Sequence, residues 1–103
     1  MHYKIQFLRS FHNDFDDIID YIARRLGAPN AASKLAEDLL KAIDRIADFP
    51  YSCKLYLPSR PLSLEYRMFT VGNYAVLYAV DETDKTIRFY RMLYGRRDFE
   101  RLL

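Results

Sequence analysis

The residues best suited to chemistry in this chain are arginines, and they are concentrated in its C-terminal half. Residues 51–103 have a net charge of +3, whereas residues 1–50 have a net charge of −1. Seven arginines lie in the C-terminal half: Arg60, Arg67, Arg88, Arg91, Arg96, Arg97 and Arg101. The planar guanidinium group binds phosphate and carboxylate groups well. The pattern therefore favours an anion-binding surface, and the alternative is an ordinary solvated basic face.

Tyrosines accompany these arginines and give a second possible function. Tyr66, Tyr90 and Tyr94 could stack on nucleic acid bases, but tyrosine is equally common as a half-buried strand residue. A free tyrosine has a pKa of about 10, so a structural role on a strand is more common for a residue such as Tyr94 than a role as a catalytic acid.

Metal and disulfide chemistry have little support in the sequence. Cys53 is the single cysteine, and the two histidines, His2 and His12, do not stand at ligand spacing from it. We therefore expect no metal site and no cofactor.

A lone cysteine cannot form an internal disulfide, and no apolar run has the length of a signal peptide or membrane span. Both features favour a cytoplasmic protein.

Hydrophobic periodicity predicts a strand followed by two helices in the first half. Residues 3–8 alternate as a strand does, and residues 11–26 then repeat apolar side chains at helical spacing, with Ser10 as the expected N-cap. Leu26 closes the first apolar stripe before Gly27. Asn30 is the expected cap of the second helix, which Pro50 ends. The short loop between the helices predicts an antiparallel hairpin.

The second half is predicted to be an antiparallel meander. After an irregular connection over 50–61, strands are expected over 64–71, 74–80 and 86–94, with a tight turn at Gly72-Asn73. The middle strand carries no charge and should be central. Strict alternation places Arg88 and Arg91 on opposite faces. Residues 96–103 could form a short helical tail.

These elements give one α+β domain over residues 1–103, of order β-α-α-β-β-β. The helical hairpin is expected to pack on one face of a four-stranded antiparallel sheet. The first strand either lies at an edge or inserts beside the last strand.

Four segments of the chain, in their order and spacing, resemble RelE/ParE toxins of type II bacterial toxin–antitoxin systems, a group that is also called plasmid stabilisation protein-like. The segments are residues 16–23, 46–50, 71–78 and 94–98. The resemblance covers nearly the whole chain. It implies a growth inhibitor held inactive by a cognate antitoxin in a toxin–antitoxin hetero-oligomer. RelE-like members cut messenger RNA in the ribosomal A site, and ParE-like members poison DNA gyrase.

If the chain is a RelE-like nuclease, the resemblance implies metal-independent attack by the 2′-hydroxyl group, with Arg97, Arg67 and Tyr94 as catalytic residues. Arg91, Arg96 and Arg97 would bind the nucleic acid. Arg97 matches the arginine of the family's Gly-Lys/Arg-Arg motif, whereas the match at Arg67 is looser. The plainer alternative is that Arg96 and Arg97 form salt bridges with nearby acids of the tail.

One position departs from the RelE-like pattern. Those members usually carry an arginine directly after the tyrosine of the central strand, and Ala75 stands there in this chain. Loss of one preorganised charge in such a site typically lowers the rate by a factor of about 10² to 10³. The long helical hairpin and Ala75 together favour ParE-like inhibition of gyrase. RelE-like messenger RNA cleavage is the alternative, and an inactive relative that only binds antitoxin is the third.

Overall fold

The computed structural model of the chain describes residues 3–58 and 62–95. The elements are β1 (Lys4–Phe7), α1 (Arg9–Asp20), a π-helical turn (Tyr21–Arg25), α2 (Pro29–Asp48), β2 (Lys54–Leu55), β3 (Arg67–Val71), β4 (Tyr74–Asp81) and β5 (Thr86–Tyr94). This order confirms the predicted α+β class with a helical hairpin. The predicted tail over residues 96–103 lies outside the described residues.

The strands form one sheet in the order β1-β5-β4-β3-β2. The charge-free strand β4 is central, as predicted, and β1 lies both at an edge and beside the last strand. The sheet is mixed, because β1 pairs with β5 in parallel and the other pairs are antiparallel. Only Leu8 separates β1 from α1, so the direction of β1 is tied to that of the helix.

The predicted irregular connection contains the two-residue strand β2, which pairs with the start of β3. It gives the sheet a fifth strand, one more than predicted. The strand expected over 64–71 begins at Arg67, whereas the strand expected over 86–94 has the predicted bounds. Gly72 adopts φ +57°, which fits the predicted tight turn because glycine has no Cβ to clash there.

The core lies between the helices and one face of the sheet. On this helix-covered face, Tyr78, Phe89 and Met92 are fully buried and pack with residues of α1 and α2. The second face of the sheet carries a smaller buried cluster of Tyr66, Ala75, Leu77 and Ala79. Both faces of β4 are therefore apolar and buried, as its sequence predicts.

A β-bulge in β5 changes which side chains share a face. Leu77 pairs with Arg91 and Ala79 with Arg88, so the register shifts around Tyr90. Since Leu77 and Ala79 belong to the same cluster on the second face, Arg88 and Arg91 start from the same side of the sheet. The predicted placement of these arginines on opposite faces is wrong, because the extra residue of a bulge resets the alternation.

Two predicted helix caps are also wrong. Leu8 occupies the N-cap position of α1, and the hydroxyl of Ser10 instead donates to the carbonyl oxygen of Tyr90 at 2.6 Å. Ala28 precedes α2, which begins at Pro29, where the missing N–H of proline is harmless.

No helix within the described ranges is long and apolar enough to cross a membrane.

Candidate functional site

Arg67 lies on β3, where its guanidinium group holds the loop that follows α2. It donates to the carbonyl oxygens of Cys53 at 2.7 Å and Tyr51 at 3.3 Å, and it lies 5.0 Å from the centre of the Tyr51 ring. Only 16% of the side chain is exposed. A guanidinium group with this many internal partners fixes a loop and has little capacity left for a phosphate.

Arg91 is likewise committed to a partner within the chain. Its Nε and Nη2 atoms donate to the two carboxylate oxygens of Asp14 on α1, at 2.7 and 2.9 Å. The two side chains are 19% and 13% exposed. The hydrogen bonds that Arg91 donates to Asp14 raise the pKa of Arg91, although partial burial opposes this. This two-pronged geometry joins α1 to the sheet.

Asp14 also completes the edge of β5. The pairing of β1 with β5 ends at Phe89, so beyond it β5 has a strand partner only on its β4 side. The Met92 N–H donates to Asp14 at 3.0 Å, and Ser10 donates to the Tyr90 carbonyl. An unpaired backbone group is costly when it is buried. Asp14 and Ser10 therefore allow α1 to replace a neighbouring strand along this edge.

Tyr94, at the end of β5, is the exposed member of the predicted catalytic set. It is 57% exposed and packs edge-to-face against Tyr74, with ring centres 5.6 Å apart. Both rings border a groove of about 710 Å³, here called the tyrosine groove. It is lined by Asp17, Ile18, Tyr21, Ile22, Leu26, Asn73, Tyr74 and Tyr94.

The structure does not bring Arg67 and Tyr94 into one cavity. Arg67 pairs with Tyr78 on one side of β4, and Tyr94 lies beside Tyr74 near the other end of that strand. Four residues of strand span about 13 Å, and two strand spacings add about 10 Å across the sheet. Arg67 borders a separate small cavity. Arg96 and Arg97 lie outside the described residues.

Ala75 is fully buried on the second face of the sheet, within the cluster of Tyr66, Leu77 and Ala79. Arg88, whose pairing partner Ala79 belongs to this cluster, is neutralised by Asp81 at 2.8 Å. The position at which RelE-like members are expected to carry an arginine therefore lies in an apolar cluster.

The other two stacking candidates, Tyr66 and Tyr90, pack against each other. Tyr66 is 6% exposed, and its ring meets that of Tyr90 at 89° with centres 5.1 Å apart. Burial raises the pKa of Tyr66, and the neighbouring Tyr90 raises it further. Of the three tyrosines considered for base stacking, Tyr94 therefore has the most exposed ring.

The sequence interpretation missed the π-helical turn that shapes the tyrosine groove. The Leu26 N–H donates to the Tyr21 carbonyl oxygen at 2.9 Å, five residues back. This wider turn places residue i+5 close to the face of residue i, and such turns are frequent at functional sites. Leu26, expected in the buried stripe, is instead 59% exposed beside Tyr21. Gly27 and Pro29 were the only sequence signals that helical geometry changes here.

A second groove, called the helix groove, runs between α1 and α2. It has a volume of about 410 Å³ and is bordered by Phe11, Phe15, Leu39 and Leu40 among others. Leu40 of α2 is 62% exposed at this groove. Among residues 3–58 and 62–95, no group of three or more His, Cys, Asp or Glu side chains is arranged to hold a metal ion.

Comparison with protein families decides the classification. A sequence model described as the ParE toxin of the type II toxin–antitoxin system parDE matches residues 5–99. The chain belongs to the ParE toxin family. No curated protein sequence matches it.

Solved structures of toxin–antitoxin complexes share the fold of this ParE-family chain. A chromosomal ParDE system from P. aeruginosa matches with a TM-score of 0.67 and 18% identity, over 92% of this chain and 98% of that one. An archaeal RelE–RelB complex from Pyrococcus horikoshii gives 0.61 and 17%, over 94% and 99%. The RelBE2 complex from Mycobacterium tuberculosis gives 0.58 and 17%, over 91% and 99%. The likeness extends to both ParE-named and RelE-named complexes, so the fold alone does not separate their mechanisms.

Proposed function

We propose that this type II toxin inhibits growth by binding DNA gyrase, acts in the cytoplasm, and is neutralised by a cognate antitoxin. The observation that carries the first part is the state of the candidate nuclease residues. Arg67 and Arg91 are occupied by internal partners, and Ala75 is buried in an apolar cluster. An inhibitor that acts by binding needs no arginine poised on a phosphate.

The proposed antitoxin contact uses two surfaces that the fold leaves available. The helix groove could receive the apolar side of a helix, and β3 extends beyond its two-residue neighbour β2, which leaves backbone groups for a further strand. Disordered tails commonly fold onto partners in these two ways. The three solved neighbours are toxin–antitoxin complexes, which supports such a partner. We expect an acidic tail, because residues 51–103 carry a net charge of +3.

RelE-like cleavage of messenger RNA is the second candidate, and the exposure of Tyr94 directly before Gly95-Arg96-Arg97 is the observation in its favour. In that mechanism Arg97 would stabilise the charge on the phosphate and Tyr94 would supply a proton. The third candidate is an inactive relative that only binds antitoxin.

Induced expression of the chain without its antitoxin, with pulse labelling of DNA and protein synthesis, separates these candidates. The proposal predicts that DNA synthesis stops first and that the cells filament. If protein synthesis stops first and Arg97→Ala abolishes the effect, the nuclease mechanism replaces it. Normal growth would leave only antitoxin binding, which co-elution of the purified pair tests separately.

A further inference from the structure

The tyrosine groove combines aromatic rings with a carboxylate, that of Asp17. Tyr74 and Tyr94 meet at an interplanar angle of 77°, so they form two adjoining walls, and Tyr21 borders the same groove with 46% of its surface exposed. Within residues 3–58 and 62–95, no basic side chain pairs with Asp17, which also lies on the groove wall. Asp20, three residues further along the same helix, is paired with Arg24 at 3.3 Å.

Helical geometry brings the acidic and aromatic groups together. Asp17 and Tyr21 are four residues apart, so they stand on the same side of α1. The π-helical turn then adds Leu26 to that side, because the Leu26 N–H bonds to the carbonyl of Tyr21. A regular α-helix would direct Leu26 away from Tyr21, towards the stripe that its sequence spacing predicts. The π turn therefore enlarges the apolar part of the groove beside the tyrosines.

This combination is suited to a cationic side chain. The faces of tyrosine rings attract ammonium and guanidinium groups, and aromatic cages are a recurrent means of binding them. Asp17 supplies the opposite charge at the wall. Ile18, Ile22 and Leu26 offer apolar surface for the methylene stem of an arginine or lysine, which commonly packs on such surface while its charged end stays polar.

We propose that the tyrosine groove binds an arginine or lysine side chain presented by a polypeptide segment of the target that the toxin inhibits. This inference rests on the proposed function, because it assigns the groove to the target. The groove volume of about 710 Å³ is within the range of sites that enclose several chemical groups, so the residues flanking the cation also fit.

Charge argues against the antitoxin as the occupant. Asp17 lines this groove, and its charge would repel the acidic tail expected of the antitoxin. The mostly apolar helix groove, which Asp16 borders, and the free part of the β3 edge are separate surfaces on which that tail can bind. Target and antitoxin therefore contact the toxin at different places in this proposal.

The first test uses a small probe and does not depend on gyrase. The full-length toxin, with its tyrosine rings isotopically labelled, is titrated by NMR with N-acetyl-arginine methylamide and with the neutral citrulline analogue. We expect saturable shifts of the ring signals of Tyr21, Tyr74 and Tyr94 with the arginine compound only. Equal shifts with both compounds, or none with either, would overturn the cationic site.

Substitutions then connect the site to inhibition of the target. We expect Tyr94→Leu and Asp17→Asn each to weaken probe binding and inhibition of purified gyrase by about three- to tenfold, the size expected from loss of one cation–π or charge contact. Phe49→Leu is the matched control, because Phe49 is an exposed aromatic residue (64%) outside the groove. Asp17 lies on the helix surface, so its substitution should leave the fold intact even if Tyr94→Leu does not fold.

The outcomes separate the groove from the proposed function. If the unsubstituted toxin does not inhibit gyrase, the target assignment fails while the arginine titration still decides whether the groove binds cations. If both substitutions weaken co-elution with the antitoxin and leave inhibition unchanged, the groove belongs to the antitoxin and the inference is overturned.

Discussion

The contact between Asp14 and Arg91 gives the sharpest prediction about stability. Asp14→Ala removes two hydrogen bonds from Arg91 and one from the Met92 N–H, at 2.7, 2.9 and 3.0 Å. It leaves a guanidinium group that is only 19% exposed without its carboxylate. Loss of one partner of a buried ion pair typically lowers the free energy of unfolding by about 3–5 kcal/mol. Because this pair is only partly buried, we expect the free energy of unfolding to fall by about 3 kcal/mol.

The reverse substitution should be milder. Arg91→Ala leaves Asp14 with its hydrogen bond from the Met92 N–H, so we expect a loss of about 2 kcal/mol. The control is Asp20→Ala, which breaks the pair with Arg24, whose side chains are 57% and 81% exposed. Exposed pairs contribute about 0–1 kcal/mol, so the control should change stability little.

Urea denaturation of all three variants, together with the double variant Asp14→Ala/Arg91→Ala, measures these differences and their coupling. We expect the double variant to be less destabilised than the sum of the single variants by about 1–2 kcal/mol. The reasoning would be refuted if Asp14→Ala were no more destabilising than Asp20→Ala, or if the two single effects simply added.

The same pair tests whether Arg91 has a second role in nucleic acid binding. Asp14→Asn/Arg91→Met removes the ion pair and keeps an amide oxygen that can accept from the Met92 N–H. We expect this double variant to fold and to remain toxic. A folded double variant without toxicity would show that Arg91 acts in function and not only in joining α1 to β5.

Three further predictions concern the rest of the fold. Hydrogen bonds from Lys85, Tyr51 and Tyr3 lower the pKa of Glu82 to about 2. The ionised Glu82 should therefore stabilise the fold above the ordinary carboxylate pKa, and this stabilisation should be lost as the pH falls from about 4.5 to 2. Over that range, the urea midpoint of the unsubstituted chain should fall more steeply than that of Glu82→Gln. The hydrogen bond to Glu82 raises the pKa of Tyr51 to about 12, so stability should also fall as the pH rises from about 10 to 12. The fall should be smaller in Tyr51→Phe, and an equal fall in both proteins would refute a stabilising role of the Tyr51 hydroxyl. Ala75→Arg should destabilise the chain by more than about 3 kcal/mol without creating RNA cleavage, because position 75 is fully buried; a stable variant that cuts ribosome-bound messenger RNA would contradict this.

Local patterns in the sequence predicted much of the fold. The charge-free run at 74–80 identified the central strand, because a strand buried on both faces has no place for charge. Gly72 marked the tight turn, and the polar turn over 81–85 and Gly95 set the bounds of β5. Each of these features depends on residues close together in the chain.

The features that the sequence did not predict depend on contacts between distant residues or on small irregularities of geometry. Ser10 has the residue type of an N-cap, but its hydroxyl bonds to Tyr90 instead. The bulge at Tyr90 moved Arg91 to the other face, and the π turn moved Leu26 out of the core. Each insertion of this kind changes the phase of a regular pattern that would otherwise be read correctly.

The candidate site shows the same limit. The arginines were recognised as groups able to bind phosphate, but the partners of Arg91 and Arg67 lie 77 and 14 residues away in the sequence. Composition alone cannot show that a guanidinium group is already occupied. Tyr94 was named because the resemblance implied a catalytic role for it. The groove it borders also needs Asp17 of α1 and Tyr21 of the π-helical turn, which no local motif connects to it.

We propose that this ParE-family toxin acts on gyrase by binding, without cutting RNA. The most direct test incubates the purified full-length toxin with DNA gyrase in a supercoiling assay and, in parallel, with ribosomes that carry a messenger RNA in the A site. We expect dose-dependent loss of supercoiling that stoichiometric antitoxin reverses, and intact messenger RNA. Cleavage of the messenger RNA with supercoiling unaffected would contradict the account.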